Sequence, residues 1–229
     1  MLIYGVKDHD DMQEVIKALY AEPFRASELV GQIENLFPDD YPADVGLWQR
    51  YTLREHTLMV MGQFEKYFSD RELPVGLGRD HFRLFLAMHD LGKPEAVRKK
   101  RKHDQSIFNL IKFDAHYPGD GFITEGRRSI LRSLLTDDPI GPYLRGFIDV
   151  DHSAEKIREM HAACHSSIPL SDYHDLLLVY YMSDAGSYTV DAGGLRGLDH
   201  LFIFGERRMA FSPDTESKME RLRKVLISK

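Results

Sequence analysis

Cysteine is all but missing from this 229-residue chain. Cys164 stands alone, so no internal disulfide forms and a metal site built on thiolates is excluded. A chain so poor in cysteine suits a reducing compartment. Long apolar runs are missing too: nothing approaches the roughly 20 residues needed to cross a bilayer. The first ten residues carry Lys7, Asp8 and Asp10 and have no apolar core of signal-peptide kind. We therefore expect a soluble, cytoplasmic protein without membrane partners. Positive charge is not in excess either. Thirty Lys and Arg against 36 Asp and Glu give 30 − 36 = −6, which excludes a general nucleic-acid coat protein but not a local basic patch. Internal repeats and low-complexity tracts are likewise absent. What remains is ordinary globular composition, 43% hydrophobic and 29% charged, enough for a large core.

The apolar spacing is mainly helical. Met12, Val15, Ile16 and Leu19 fall on one face, as do Leu29, Ile33 and Leu36. Residues 37–46, with Pro38, Pro42 and Gly46, read as a loop. Further helices are expected over about 53–68, 81–91, 105–113, 126–135, 154–165 and 170–188. Gly92 and Pro94 read as the stop of the 81–91 helix. Breaks fall at 74–78, at 117–121 and at the Asp138–Pro142 turn. Leu201–Phe204 reads as a short strand, giving a minor hairpin near the C-terminus. Ser212 and Pro213 open a last helix with acidic residues early and basic residues late. No linker divides the chain, so we expect one all-α helical domain over 1–229, with its chemistry at about 50–190.

Within this frame a few polar residues stand where apolar ones belong. His56 lies on the stripe Leu53, His56, Val60, Phe64, Tyr67, at steps of 3, 4, 4 and 3, and so points inward. His89 and Asp90 are adjacent at the end of a helix bearing Phe82, Phe85 and Leu86. Asp184 shares a face with Leu177, Tyr181 and Tyr188, where an aspartate is costly unless paired or metal-bound. Singly, each has an ordinary explanation: a hydrogen-bonded core histidine, a helix-end dipeptide, a partner for an arginine. Together they form a mixed nitrogen and oxygen set that suits Mn, Fe, Co, Ni, Zn or Mg.

His56, the run His89-Asp90-Leu91-Gly92-Lys93-Pro94 and the distal Asp184 resemble the motif of the HD superfamily of metal-dependent phosphohydrolases, over roughly residues 53–188. The gaps are 89 − 56 = 33 and 184 − 90 = 94 residues. The resemblance implies an HD-like helical bundle holding one divalent ion through His56, His89, Asp90 and Asp184. It also implies hydrolysis of a nucleotide-like phosphate ester by a metal-activated water, with Asp90 and Lys93 in the catalytic centre and Lys93 on phosphate. Where nucleotidase branches carry a glutamate, this chain has Lys93 and Pro94, with Glu95 following. Binuclear branches add two histidines; His103, His116, His161 and His165 are available, and His161 is the leading extra ligand. His161 and His165 are one turn apart, spaced to chelate, although Met160 and Cys164 occupy the core face there.

Beyond the motif, Arg98-Lys99-Lys100-Arg101-Lys102 reads either as a solvated loop or as a clamp for phosphate or a nucleic-acid end, through Arg98 and Lys102. Arg127, Arg128 and Arg132 form a second basic group. The glycine-rich stretch 188–198 reads as a loop at the mouth of the site that reaches substrate through Arg196, or as a plain connection. Two other functions are open: a di-iron HD-type oxidase or oxygenase, and a non-catalytic nucleotide- or metal-binding regulatory module.

Overall fold

The computed structural model describes residues 9–46, 49–119, 121–164 and 168–228. Along the chain run α1 (His9–Leu19), α2 (Ala26–Leu36), α3 (Leu53–Tyr67), α4 (Arg79–Met88), α5 (Lys93–Arg98), α6 (Gln105–His116), α7 (Glu125–Ser133), α8 (Ile140–Leu144), α9 (Val150–Ala163) and α10 (Leu170–Gly186). An antiparallel hairpin of β1 (Phe202–Phe204) and β2 (Met209–Phe211) follows, and then α11 (Pro213–Ile227). Phe202 pairs with Phe211 and Phe204 with Met209. The fold is all-α with a minor hairpin. Among the described residues no helix is long and apolar enough to cross a membrane.

Helix α3 is the central strut, packed by α2, α4 and α10, while α9 gathers α7, α8, α10 and α11. A capping box fixes the start of α3. Glu55 N donates to Thr52 Oγ1 at 3.2 Å, and Thr52 N donates to Glu55 Oε2 at 2.8 Å. The first turn is thereby locked, and His56 sits within it. One side of α3 then meets α4 through Phe64, Phe82 and Phe85, with ring centroids 5.1 and 5.5 Å apart. All three rings are fully buried, and truncating one to alanine is expected to cost about 3–5 kcal/mol. At the rim Arg83 forks onto Glu65 at 2.8 and 2.7 Å, tying α4 to α3.

The helix ends near the motif differ from the sequence reading. Helix α4 stops at Met88, and Pro94 does not terminate it; Pro94 stands in the first turn of α5, where a missing N–H costs nothing. Gly92 joins the two helices under tight constraint. A Cβ there would lie 2.2 Å from the Phe108 carbonyl carbon and 2.3 Å from Asn109 N, both backbone atoms of α6. Only glycine lets α5 start so close to α6. Pro139, read as part of a turn, instead precedes the short α8, and α10 ends at Gly186, two residues before Tyr188.

Candidate metal centre

His56, on the first turn of α3, and His89, just past α4, have 0% and 1% exposure. Their rings lie 5.5 Å apart. Each imidazole is oriented through Nδ1. His89 Nδ1 is 2.6 Å from the Leu86 carbonyl, which only accepts, so Nδ1 carries the proton. Ser187 Oγ gives its proton to the Asp184 carbonyl at 2.6 Å and so receives His56 Nδ1–H at 3.3 Å. With these tautomers, assigned from the bonding network, both Nε2 lone pairs face the same point.

Two carboxylates face that point as well. His56 Nε2 lies 3.2 Å from Asp90 Oδ2 and 3.2 Å from Asp184 Oδ1. For His89 Nε2 the distances are 3.6 and 3.8 Å. His89 Nε2 and Asp184 Oδ1 are buried without any hydrogen bond. The donor in reach of His56 Nε2 is the Tyr188 hydroxyl, at 3.4 Å. In these tautomers acceptors confront acceptors, an arrangement that a cation, or a proton on His89, between them would relieve. Ligands about 2.1 Å from one ion stand roughly 3.0–3.4 Å apart in octahedral or tetrahedral geometry. The His56 separations fall in that range and those of His89 slightly beyond it, so the residues fit a small divalent ion. Among the described residues, His56, His89 and Asp184 form a group able to hold a metal, with ligand atoms within 4.8 Å of one another.

Asp90 is held more firmly than a free ligand. Its Oδ1 accepts from Gln105 Nε2 at 2.8 Å and Asn109 Nδ2 at 3.3 Å; its Oδ2 accepts from Lys93 Nζ at 2.8 Å. Asn109 Oδ1 in turn receives Gly92 N at 2.9 Å, so α6 braces the whole His-Asp turn. Lys93 is no solvated lysine: it is 8% exposed, and its ammonium also approaches the Tyr188 hydroxyl at 3.5 Å.

Charge balance follows from this packing. Burial disfavours the charge on Asp90, but Lys93, His89 and His56 outweigh it and hold the carboxyl well below the usual carboxylate range. Burial likewise opposes ionisation of Asp184, and the two imidazoles outweigh it and lower that carboxyl too. His89 moves upward, because Asp90 and Asp184 overcome the burial cost of its charge. Lys93 also moves upward, burial being outweighed by Asp90 and Asp184. Without a metal, a proton on His89 is one way to close this centre.

The centre opens on a cleft of ≈ 360 Å³ whose lining includes Asp184, Lys93, Gln105, Tyr180 and Asp138. The Asp184 side chain is 35% exposed although its Oδ1 is buried, so the remainder of the carboxylate faces the cleft. Tyr180 stands edge-on to His89 at 5.9 Å.

The other expected residues lie elsewhere. His161 Nε2 contacts the Ile168 carbonyl at 2.8 Å, and its ring tilts on Tyr173 at 5.4 Å. His116 packs edge-on to Phe37, and His103, exposed, touches the cleft rim beside Asp104. His165 lies outside the described residues. The basic run is largely spoken for. Arg98 pairs with Asp40 at 3.1 Å, Lys99 with Glu95 at 2.6 Å and Arg101 with Asp104 at 2.6 Å, while Lys102 donates to the Gly46 carbonyl at 2.7 Å. Arg132 and Arg128 engage Asp114. Arg196 is exposed and does not line the cleft.

Sequence reasoning missed Gln105, Asn109, Ser187 and Tyr188. Gln105 and Asn109 carried a usable signal, amides at i and i+4 on one helix; Tyr188 sits one turn beyond Asp184. Comparison of the chain with protein-family models, curated proteins and solved structures finds no match.

Proposed function

We propose that this chain is a metal-dependent phosphohydrolase acting on a small, nucleotide-like phosphate ester. The observation that carries the reading is the convergence of His56 and His89 Nε2 on two carboxylates, with His89 Nε2 and Asp184 Oδ1 buried and unbonded and with Asp90 and Asp184 lining an open cleft. The HD-like order of these residues in the sequence supports the same reaction class. His56, His89, Asp90 and Asp184 would hold the ion. When bound, a divalent ion supplies a Lewis acid for a phosphoryl oxygen and lowers the pKa of a water.

The chain's own residues do the rest. Gln105, Asn109 and Lys93 lock the Asp90 carboxylate in place, so no reorganisation is needed on binding. Lys93 keeps its positive charge at the cleft floor, where it can meet phosphate oxygens. Asp184 presents its exposed side to the cleft, placed to accept a proton there. The cleft's size suits a small ester, and the paired state of the basic run gives no support to a polynucleotide clamp. One ion per chain is the stoichiometry supported. Of the histidines the di-iron alternative could use, His161 bonds the Ile168 carbonyl and His116 packs on Phe37.

A screen for phosphate release from p-nitrophenyl phosphate and nucleoside monophosphates, with Mn, Co, Ni, Zn or Mg, tests the proposal. We expect metal-dependent release that His56→Ala abolishes. Metal binding without release from any ester would leave the regulatory module; release unaffected by chelator would overturn the metal mechanism.

A further inference from the structure

Tyr188 is unused by the reading above, and its surroundings are unusual. Its ring stacks on His56, with centroids 5.0 Å apart and planes 23° from parallel. Its hydroxyl lies 3.4 Å from His56 Nε2, close to the 3.2 Å that separates that nitrogen from Asp90 and Asp184. The phenol oxygen therefore stands from His56 as one ligand stands from another around a common ion.

The glycine-rich stretch explains how it is held there. Before Tyr188 the chain is α10, carrying Asp184, and Tyr188 N still bonds the Ala185 carbonyl at 3.2 Å. After it, Leu198 N returns to the Tyr188 carbonyl at 3.1 Å. Asp191 pins the strap to α3, accepting from Tyr67 Oη at 2.7 Å, Lys66 Nζ at 2.9 Å and Gln63 Nε2 at 3.3 Å. Leu195 N is held by Tyr51 Oη at 2.7 Å. A Cβ at Gly197 would crowd the Tyr188 carbonyl at 3.1 Å. The strap thus joins the helix that carries Asp184 to the helix that carries His56, and fixes the phenol over the centre. Its role is that of a brace, and the exposed Arg196 on it does not line the cleft.

We infer that Tyr188 is a further ligand of the metal centre, bringing a phenol oxygen to the ion bound by His56, His89, Asp90 and Asp184. This rests on the metal centre of the proposed function, but not on the reaction assigned to it. A phenol oxygen is a hard donor, so this ligand favours oxygen-loving ions such as Mn and Fe over softer ones.

Ferric iron alone, added to the metal-free full-length protein, is the probe. A phenol that ligates iron(III) loses its proton to solvent and gives a charge-transfer band in the visible. We expect the band in the wild type and in Tyr180→Phe, and its loss in Tyr188→Phe, which preserves the ring stack. Iron content should be similar in all three, with Mn affinity about tenfold weaker in Tyr188→Phe. Iron bound without a band in the wild type, a band that survives Tyr188→Phe, or no iron bound at all would each overturn the assignment. The two readings fail separately. A band without ester hydrolysis sinks the phosphohydrolase and keeps Tyr188; hydrolysis without a band does the reverse. If Tyr188→Phe does not fold, the wild-type band alone decides, read together with His56→Gln.

Discussion

Two buried polar clusters lie in this bundle, and they are finished differently. Between α7, α9 and α10, Ser133 Oγ meets Tyr173 Oη at 2.9 Å and Cys164 Sγ at 3.0 Å, while Ser133 also donates to the Ile130 carbonyl at 2.7 Å. His161 tilts against the edge of this group and is satisfied by the Ile168 carbonyl. Donors match acceptors, and the cluster is closed. Around α3, α4 and α10 the opposite holds: the imidazoles are oriented with care through their far nitrogens, and their near nitrogens are left facing carboxylates. A protein spends buried hydrogen-bond donors on Asp90 from α6, yet leaves His89 Nε2 and Asp184 Oδ1 bare. The lesson is that polarity inside a core does not mark a site; unmatched polarity at the floor of a cleft does.

The largest effect should come from breaking the open cluster. His89→Ala or Asp184→Ala is expected to weaken Mn or Zn binding by more than about 100-fold, beyond what supporting residues typically cost. Ser133→Ala in the closed cluster should leave metal affinity alone and lower stability by about 1–3 kcal/mol, because Tyr173 and Cys164 lose their partner. Calorimetric titration and thermal melting separate these outcomes. Gly92→Ala comes next. It must push α5 off the α6 backbone, with an expected stability loss of about 1–3 kcal/mol or more and disturbed metal binding, read by melting with and without metal.

Smaller again is Gln105→Leu, which removes the shorter of two amide bonds to Asp90 Oδ1, leaving that from Asn109, and should cost about tenfold in metal affinity with little loss of helix content. The dependence on pH sharpens the same point. His89 is raised above its ordinary 6.5, so in the metal-free protein the stability its charge contributes is full below that value and fades as pH climbs through the raised one. A metal replaces the proton, so the rise in Tm on adding metal should be larger near pH 8 than near pH 6. An equal rise at both would mean that the ion does not displace a proton from His89. The smallest effect belongs to Lys102→Ala. It removes a bond to the Gly46 carbonyl worth about 0.5–1.5 kcal/mol and should not change KM for a small phosphate ester.

Much of this was legible in the sequence. The all-α frame, the order of the main helices and the inward faces of His56 and Asp184 follow from the 3.6-residue spacing of the apolar residues. The Leu201–Phe204 strand and the final helix at Pro213 were legible from short runs and capping residues. Less visible were the features that depend on contact between distant segments. Pro94 reads as a helix stop because its missing N–H cannot say whether a helix is ending or beginning. Gln105 and Asn109 show only as amides at i and i+4 on one helix, and their target, Asp90, is not visible until α5 and α6 are brought together at Gly92. The basic run reads as a solvated loop or a clamp in part because two of its partners, Asp40 for Arg98 and Gly46 for Lys102, lie more than fifty residues away. Tyr188 reads as one more stripe residue until the strap from Val190 to Leu198 is seen to hold it over His56.

The most direct test of the central claim is titration of the metal-free full-length chain with Mn or Zn at about pH 8, followed by calorimetry, in the wild type and in His89→Ala. The account predicts one ion per chain, bound with release of protons, and no such binding in His89→Ala. Absence of binding in the wild type, or undiminished binding in His89→Ala, would contradict it.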